Sequence, residues 1–363
     1  MKLVRALSVL AVTAGAFTLV SMQGCSSDSS SSSSSGSTPG QEGRQPPKPP
    51  EGAGPGTADK RTFAVNELFL GETDRSKAVV KDAWKDYGYN LDGLVTTKES
   101  KDVCTRFQGA DSAKQEDGKD GIDNAFGRTI LSFILGLVPT PSKTLNDSIA
   151  GGSFTILMET TGLSEDPKQN ATGLSARLLI GGGLENNAKP DFNSGSFDWP
   201  YRASPIIDIK GAYINNGTWV NGAGGATVSL SLFIQGVALT LDIKRAVITF
   251  QHDPATKSLT NGTIAGVINR EDLVSGIEKV AGRISSQLCS GSTLDTIKTT
   301  IRQASDIMDD GSNGAGKECN AISIGIGFSA KKVGDPKTVA KEGTAPPDPC
   351  TNPPADGGTD GGQ

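Results

Sequence analysis

Hydrophobic and polar residues alternate with a period of two through the middle of the chain. The clearest stretch covers residues 227–243, where two alternating runs flank Gln235-Gly236. Two such runs around a short turn that contains glycine predict a β-hairpin. Similar patterns predict strands at residues 63–70, 154–159, 174–180, 206–214, 218–220, 246–250, 262–268 and 321–329, and a turn leading into a strand at residues 89–95.

Two other regions follow the 3.6-residue period of an amphipathic helix. One helix is predicted over residues 125–138, where Pro139 ends it. Two more are predicted near the C-terminus, beginning at the N-cap candidates Asn269 and Ser292, each with an aspartate three residues later. The pattern therefore predicts one mainly β domain over residues 61–330, a β-sandwich or a flattened barrel with one early helix and a C-terminal helical pair.

Both flanks of this domain are of low complexity. Residues 26–60 contain a serine run followed by proline- and glycine-rich sequence, and residues 331–363 are charged and rich in proline and glycine. Such sequence does not bury enough apolar surface to fold by itself. We therefore expect a disordered tether over residues 25–60 and a disordered tail over residues 331–363.

The first residues have the parts of an export signal. Lys2 and Arg5 precede an apolar run at residues 6–20, and a small residue stands directly before Cys25. This arrangement resembles the lipobox of bacterial lipoproteins, which implies a signal peptide over residues 1–24 and acylation of Cys25. An ordinary secretory signal and an uncleaved membrane anchor are the alternatives, although the apolar run is shorter than the roughly 20 residues of a spanning helix.

The other four cysteines are Cys104, Cys289, Cys319 and Cys350. An even number of cysteines in an exported chain predicts two disulfides, and four cysteines allow three pairings. The favoured pairing joins Cys289 to Cys319, because it closes a loop around one helix, and leaves Cys104 for Cys350. The single histidine and the absence of a Cys-x-x-Cys sequence exclude a Cys/His zinc site.

Charge and composition narrow the range of partners. The formal net charge is −5 at pH 7, and the sequence contains no basic run, which excludes nucleic acid as a partner. Aromatic residues make up 5% of the chain and glycines number 46, which favours a turn-rich β-structure. The expected partners are a membrane, through the N-terminal lipid, and a protein or a glycan.

The loop at residues 117–124 is the most distinctive polar stretch. Asp117, Asp120 and Asp123 follow one another at intervals of three, with glycines between them, and could present oxygens to Ca²⁺. The loop lacks the alternating ligands and the distal glutamate of an EF-hand. The alternative is a series of Asx-turns followed by a helix N-cap at Asp123 or Asn124.

Candidate catalytic residues are few. The single histidine, His252, lies in a turn-like sequence without a Gly-x-Ser-x-Gly elbow elsewhere, which favours a surface residue over a catalytic base. Glu159, Asp198 and Asp208 lie on or beside predicted strands and could form the carboxylate pair of a glycosidase. Aromatic residues at 199–201 could contact sugar rings or could cover the edge of the core.

Three further stretches accompany the lipobox: DGIDNAFG at residues 120–127, NGTIAGVI at residues 261–268 and IRQASDI at residues 301–307. Together they resemble a group of uncharacterised lipoproteins from myxobacteria-type Gram-negative bacteria. The resemblance implies a lipid-anchored place in the cell envelope, and Ser26 after the cysteine favours the outer membrane. We expect a non-catalytic binding or structural role; the alternative is a carbohydrate- or ester-directed hydrolase on a β-sandwich.

Overall fold

The computed structural model describes residues 43–109, 115–222, 226–234, 237–341 and 349–351 of the 363-residue chain. The signal peptide expected over residues 1–24, the lipidation candidate Cys25 and the serine run lie outside the described residues. So do the hairpin turn at residues 235–236 and the last part of the tail.

Nine antiparallel strands form one sheet in the described part of the chain. They are β1 (Lys60–Phe69), β2 (Thr155–Thr161), β3 (Ala171–Gly181), β4 (Tyr201–Asn215), β5 (Thr218–Val220), β6 (Ala226–Ile234), β7 (Val237–Asp253), β8 (Ser258–Asn269) and β9 (Ala321–Val333). Neighbours follow the order β5-β4-β3-β2-β1-β9-β8-β7-β6, and β5 also pairs with β7. This extra pairing closes eight strands into a barrel, with β6 as an additional strand. The closed barrel confirms a mainly β fold and the flattened-barrel alternative.

Closure of the barrel depends on the 17-residue strand β7. Its first part pairs with β6, from Val237 to Ala246, and its later residues Thr249, Phe250 and Gln251 pair with β5. Strands β6 and β5 therefore follow one another along the same edge of β7. The ladders of the described residues include none between β4 and β6, so the ring closes through β5.

Large apolar side chains fill the barrel interior. Trp219 and Phe250 are both fully buried and stack with their ring centroids 4.7 Å apart. A cavity of about 20 Å³ remains among apolar side chains such as Met158, Leu178 and Ile264. That volume corresponds to about one water molecule, so the interior is a packed core.

Four α-helices accompany the strands in the described residues: α1 (Leu131–Leu137), α2 (Pro141–Ala150), α3 (Arg270–Ile284) and α4 (Ser292–Gln303). A π-helical turn (Phe126–Ile130) precedes α1, so the early helix lies where it is predicted. The sequence pattern did not predict α2. No helix in the described residues is long and apolar enough to cross a membrane.

The two predicted caps behave differently. The side chain of Asn269 accepts hydrogen bonds from the backbone N–H groups of Glu271 and Asp272, which confirms it as the N-cap of α3. Helix α4 instead begins after Gly291, and no side chain caps it. Gly291 has φ 96°, a left-handed conformation that glycine adopts without strain.

Segments on both sides of the barrel lie against it. The Asn90 N–H donates to the carbonyl of Arg44 (2.8 Å), and the Tyr213 hydroxyl donates to the carbonyl of Pro47 (2.5 Å). At the other end, the Ala340 N–H donates to the carbonyl of Tyr201 (2.7 Å). Parts of the low-complexity stretches expected in the tether and the tail are therefore hydrogen-bonded to the barrel strands and to a loop beside them.

The disulfides differ from the favoured pairing. Cys104 is bonded to Cys319, and Cys289 to Cys350, so the preference for Cys289–Cys319 was wrong. The reason is a non-local pairing: the Thr105 N–H donates to Lys317 O (2.7 Å), and the Cys319 N–H donates to Thr105 O (2.8 Å). These bonds place Cys104 beside Cys319 although 215 positions separate them.

Candidate functional site

Loops from distant parts of the sequence bring four aspartates together beside β9. Asp92 lies in the loop that replaces the strand predicted at residues 89–95, and Asp117 precedes a short 3-10 turn (Lys119–Gly121). Asp123 lies just before the early helix, and Asp306 follows α4. The charge on Asp123 interacts with the charges on the other three, so the four carboxylates form one group, here called the acid cluster.

Two of these carboxylates have both oxygens hydrogen-bonded. Asp306 accepts from the Ser323 N–H through Oδ1 (2.9 Å) and from the Ser323 hydroxyl through Oδ2 (2.6 Å). Asp92 accepts from the Leu94 N–H through Oδ1 (2.8 Å) and from Asn313 Nδ2 through Oδ2 (2.8 Å). These hydrogen bonds attach the side chain of Asp306 to Ser323 of β9 and the side chain of Asp92 to the loop that carries Asn313.

The other two carboxylates use only one oxygen each. Asp117 Oδ2 accepts from the Thr96 N–H (2.5 Å). Asp123 Oδ2 accepts from the N–H groups of Leu91 (2.6 Å) and Asp92 (3.3 Å). Within the described residues, the Oδ1 atoms of Asp117 and Asp123 receive no hydrogen bond and remain available for another partner.

Burial makes ionisation of the acid cluster costly. Desolvation raises the pKa of Asp117 to about 7, far above the usual value for aspartate. Asp123 is only 3% exposed, and desolvation together with the negative charges of its three neighbours raises its pKa well above the usual range. Desolvation also raises the pKa values of Asp92 and Asp306.

Two guanidinium groups lie close enough to compensate part of this charge. Arg106 and Arg128 both favour the ionised form of Asp306 through their positive charge. Arg128 also donates from Nη1 to the carbonyl of Glu116 (2.9 Å), which holds it in place. Full ionisation would place four carboxylates beside two guanidinium groups, and the raised pKa values of Asp117 and Asp123 reflect how strongly burial and mutual repulsion oppose it.

A small polar cavity lies within this group. It has a volume of about 10 Å³, which is close to the space of one water-sized particle. It is lined by Thr96, Gln115, Glu116, Asp117, Asp123, Asn124, Arg128, Asp306 and Asn313. Carboxylate and amide oxygens of this kind suit a hard cation or a water molecule.

Gln115 contributes a buried amide to the wall of this cavity. The residue is 2% exposed, and its Nε2 donates to the carbonyl of Cys104 (3.1 Å). That bond fixes the orientation of the amide, because the carbonyl requires a donor. The Oε1 of Gln115 is buried and accepts no hydrogen bond within the described residues. An unpartnered buried carbonyl oxygen costs about 1–3 kcal/mol, so this atom calls for a partner.

The structure brings together two of the three aspartates proposed for Ca²⁺. Asp117 and Asp123 line the cavity, whereas Asp120 is exposed on the 3-10 turn and does not line it. The alternative N-cap is also present, because Asn124 Oδ1 accepts from the Gly127 N–H (2.9 Å). In the described residues, no three His, Cys, Asp or Glu side chains converge as ligands of one metal ion.

Sequence reasoning missed Asp92, Asp306 and Gln115 as members of this site. Their only sequence signal is polarity next to glycine-rich turns, which does not reveal that the loops meet. Gly325 on β9 permits the meeting, since a Cβ there would overlap the carbonyl oxygen of Tyr87. Because of this close approach, Asn124 Nδ2 reaches the carbonyl of Gly325 (2.9 Å).

His252 lies on β7 and is half-buried, so it is not the surface turn residue that its sequence indicates. Its ring meets the buried ring of Phe63 edge-on, with the centroids 5.9 Å apart. Its Nδ1 lies 3.1 Å from the carbonyl of Ser164, and its Nε2 lies 3.4 Å from Arg61 Nη1. Desolvation and the charge of Arg61 lower the pKa of His252.

The carboxylates considered for hydrolysis are held in polar contacts with neighbouring residues. Glu159 is paired with Lys60 (3.0 Å) and with Arg177 (3.3 Å), and Arg177 also lies 3.9 Å from Asp208. Asp198 instead accepts from the backbone N–H of Lys337 (3.1 Å). Arg177 thus bridges Glu159 and Asp208, while Asp198 belongs to a separate contact.

The aromatic residues beside Asp198 belong mainly to the core. Trp199 is fully buried and donates from Nε1 to the carbonyl of Gly182 (2.8 Å). Its ring contacts Phe192 and Phe197, each with a centroid separation of 5.9 Å. The indole therefore covers an edge of the core and does not present a free face to a sugar.

Comparison with known proteins found no matching family model, no matching curated protein and no matching solved structure. Function is therefore inferred from the residues themselves. The resemblance to envelope lipoproteins stays a prediction from the sequence.

Proposed function

We propose that this protein is a lipid-anchored lipoprotein of the cell envelope that carries a packed β-barrel with a non-catalytic binding or structural role. The observation that carries the proposal is the distribution of the five cysteines. Four of them form two disulfides, and the fifth is Cys25, which follows the lipobox-like sequence. Acylation gives this remaining thiol a role, and Ser26 after it favours the outer membrane.

The disulfides themselves support export. Disulfides form and persist in oxidising compartments and are rare in the reducing cytosol. The Cys104–Cys319 bond is fully buried at both cysteines, beside Gln115 in the wall of the polar cavity. A chain whose folded part includes such a bond is suited to an oxidising envelope compartment.

The packed barrel supports action through the outer surface. The interior cavity holds about one water molecule, whereas small-molecule sites typically have volumes of several hundred Å³. The fully buried, stacked rings of Trp219 and Phe250 add to this packing. We therefore propose a protein or glycan partner that contacts the outside of the barrel.

The anchor is tested by mass spectrometry of the native protein from its own membrane fraction. The expected N-terminal residue is an acylated Cys25, and extraction requires detergent. The matched variant Cys25→Ser leaves both disulfides intact and should release the barrel from the membrane, because its attachment is gone. An intact Met1, or an unacylated Cys25 in the native protein, would contradict the proposal.

A further inference from the structure

Unpartnered polar oxygens beside the acid cluster point to a missing cation. Asp92, Asp117, Asp123 and Asp306 lie close enough to interact electrostatically, and among the described residues Arg106 and Arg128 act on the group with opposite charge. Burying uncompensated charge is costly, so such groups are normally paired or coordinate metals. A divalent cation bound among these carboxylates would stabilise their ionised forms.

The unpartnered oxygens identify where this cation would lie. Gln115 Oε1, on a side chain that is 98% removed from solvent, is without a hydrogen bond in the described residues. Asp117 and Asp123 each keep their Oδ1 without a donor, and all three residues line the same polar cavity. The unpartnered Oε1 of Gln115 is evidence separate from the carboxylates. This oxygen can only accept hydrogen bonds or bind a cation, and carboxylate oxygens provide neither a donor nor a cation.

The chemistry of these atoms selects the ion. Carboxylate and amide oxygens are hard ligands, and Ca²⁺ accepts six to eight of them, including water, in a flexible geometry. Because no three acidic side chains of the described residues are placed as ligands of one metal ion, carboxylates alone do not form the shell. Two carboxylates, one amide oxygen and water molecules make a set that Ca²⁺ tolerates and that Mg²⁺, with its stricter octahedron, accepts less readily.

We propose that the cavity is a Ca²⁺ site in which Asp117, Asp123 and Gln115 supply ligand oxygens. Asp306, which also lines the cavity, and the neighbouring Asp92 supply further negative charge. Their hydrogen bonds to Ser323 and Asn313 hold the surrounding loops in position. The site joins the loops at residues 90–96, 115–124 and 306–313, so the bound ion would link loops that are far apart in the sequence.

The test uses the purified full-length chain after removal of metal with EDTA and dialysis. Calcium chloride is then titrated in by calorimetry at physiological ionic strength, and thermal melts are recorded in parallel. We expect one ion per chain, with a dissociation constant below about 1 mM, as in extracellular calcium modules. At 100 times that constant, the melting temperature should rise by roughly 5 °C.

Variants distinguish this cavity from general surface charge. Asp117→Asn should weaken Ca²⁺ binding at least tenfold and abolish the thermal shift. Asp120→Asn is the matched control, since Asp120 lies in the same loop but is exposed, and it should bind as the wild type does. In EDTA the Asp117→Asn protein should melt at or above the wild-type temperature, because the amide removes a partly desolvated carboxylate from a group of like charges. A melt in this range shows that the variant folds.

Three results would overturn the proposal. The first is a wild-type chain with no binding heat and an unchanged melt at 10 mM Ca²⁺, which would mean that protons or water satisfy the cavity. The second is equal weakening by Asp120→Asn and Asp117→Asn, which would indicate diffuse surface attraction. The third is undiminished binding by Asp117→Asn, which would place the ion elsewhere.

Discussion

The barrel interior is buried and the acid cluster is partly buried, and removal from water has opposite energetic consequences in the two regions. In the interior, rings such as those of Trp219 and Phe250 leave water for a packed apolar core, which stabilises the fold. In the acid cluster, carboxylates leave water without full compensation, and the pKa of Asp117 rises to about 7 as a result. The comparison indicates that the barrel supplies the stability and that the cluster reduces it, which is common for sites that bind a ligand.

The largest loss of stability is expected from a substitution in the barrel interior. Phe250→Ala should lower the free energy of unfolding by about 3–5 kcal/mol, because it removes a fully buried ring that stacks on Trp219. The measurement is equilibrium denaturation. Ile206→Ala is the control, because Ile206 on β4 is 39% exposed and should cost under about 0.5 kcal/mol. Similar losses for the two variants would contradict a packed, dry interior.

The disulfide beside the acid cluster comes next. Replacing both Cys104 and Cys319 by alanine should cost about 2–5 kcal/mol, since the bond restricts the unfolded chain. The Cys289–Cys350 pair is the control: its separation is 61 positions against 215, so its removal should cost about 1 kcal/mol less. Thermal melts of the two double variants check this order, and a reversed order would show that native-state packing outweighs chain entropy.

A smaller effect is expected at the start of α3. Asn269→Ala should cost about 1 kcal/mol, because its side chain accepts from two backbone N–H groups at the helix start. Ser292→Ala at the start of α4 should change stability by less than about 0.5 kcal/mol, since no side chain caps that helix. Chemical denaturation of the two variants measures whether the capping hydrogen bonds of Asn269 contribute about 1 kcal/mol. Equal losses of stability in Asn269→Ala and Ser292→Ala would contradict this prediction.

The smallest expected effect is the pH dependence of stability that comes from His252. Its ring contacts the apolar ring of Phe63 on one side and the charged side chain of Arg61 on another. Burial and the nearby charge of Arg61 lower the pKa of His252 below its ordinary value of 6.5. The unfolded chain therefore binds more protons in this range, and the contribution of His252 to stability rises with pH up to about 6.5. NMR titration measures it directly, because the chain has one histidine.

The matched change for this titration is Arg61→Gln, which should move the pKa of His252 upwards. Arg245→Gln, at a residue not among the causes of the His252 shift, should leave it unaltered. An imidazole pKa at or above 6.5 in the wild-type chain would show that the ring is not desolvated by its contact with Phe63.

Local features were predictable from the sequence because their causes are local. The alternation around residues 235–236 predicts the two strands that pair as β6 and β7, and Asn269 caps the helix that follows it. The predicted gap between strands at 237–243 and 246–250 is instead a bulge within β7. Arg245 adopts φ 51° there, and the register with β8 shifts between Lys244 and Val247.

Non-local features were not predictable from spacing. The preference for Cys289–Cys319 assumed that a short loop closes most readily, but backbone bonds of Thr105 place Cys104 beside Cys319. Likewise, equal spacing suggested that Asp117, Asp120 and Asp123 act together, whereas the turn directs Asp120 to solvent. The fourth member of the acid cluster, Asp306, joins only because β9 carries Ser323 to it.

The disulfide between Cys289 and Cys350 attaches the low-complexity C-terminal tail to the segment between α3 and α4. Gly282 on α3 lies against this disulfide, and a Cβ there would overlap Cys350 Sγ. A chain that lacked residue 350 when it folded would leave Cys289 as a free thiol, because its partner would be missing. The Cys289 thiolate could attack the Cys104–Cys319 bond, form a new disulfide with one of these cysteines and release the other as a thiolate. Loss of the tail would then alter the loops beside the acid cluster as well as the surface.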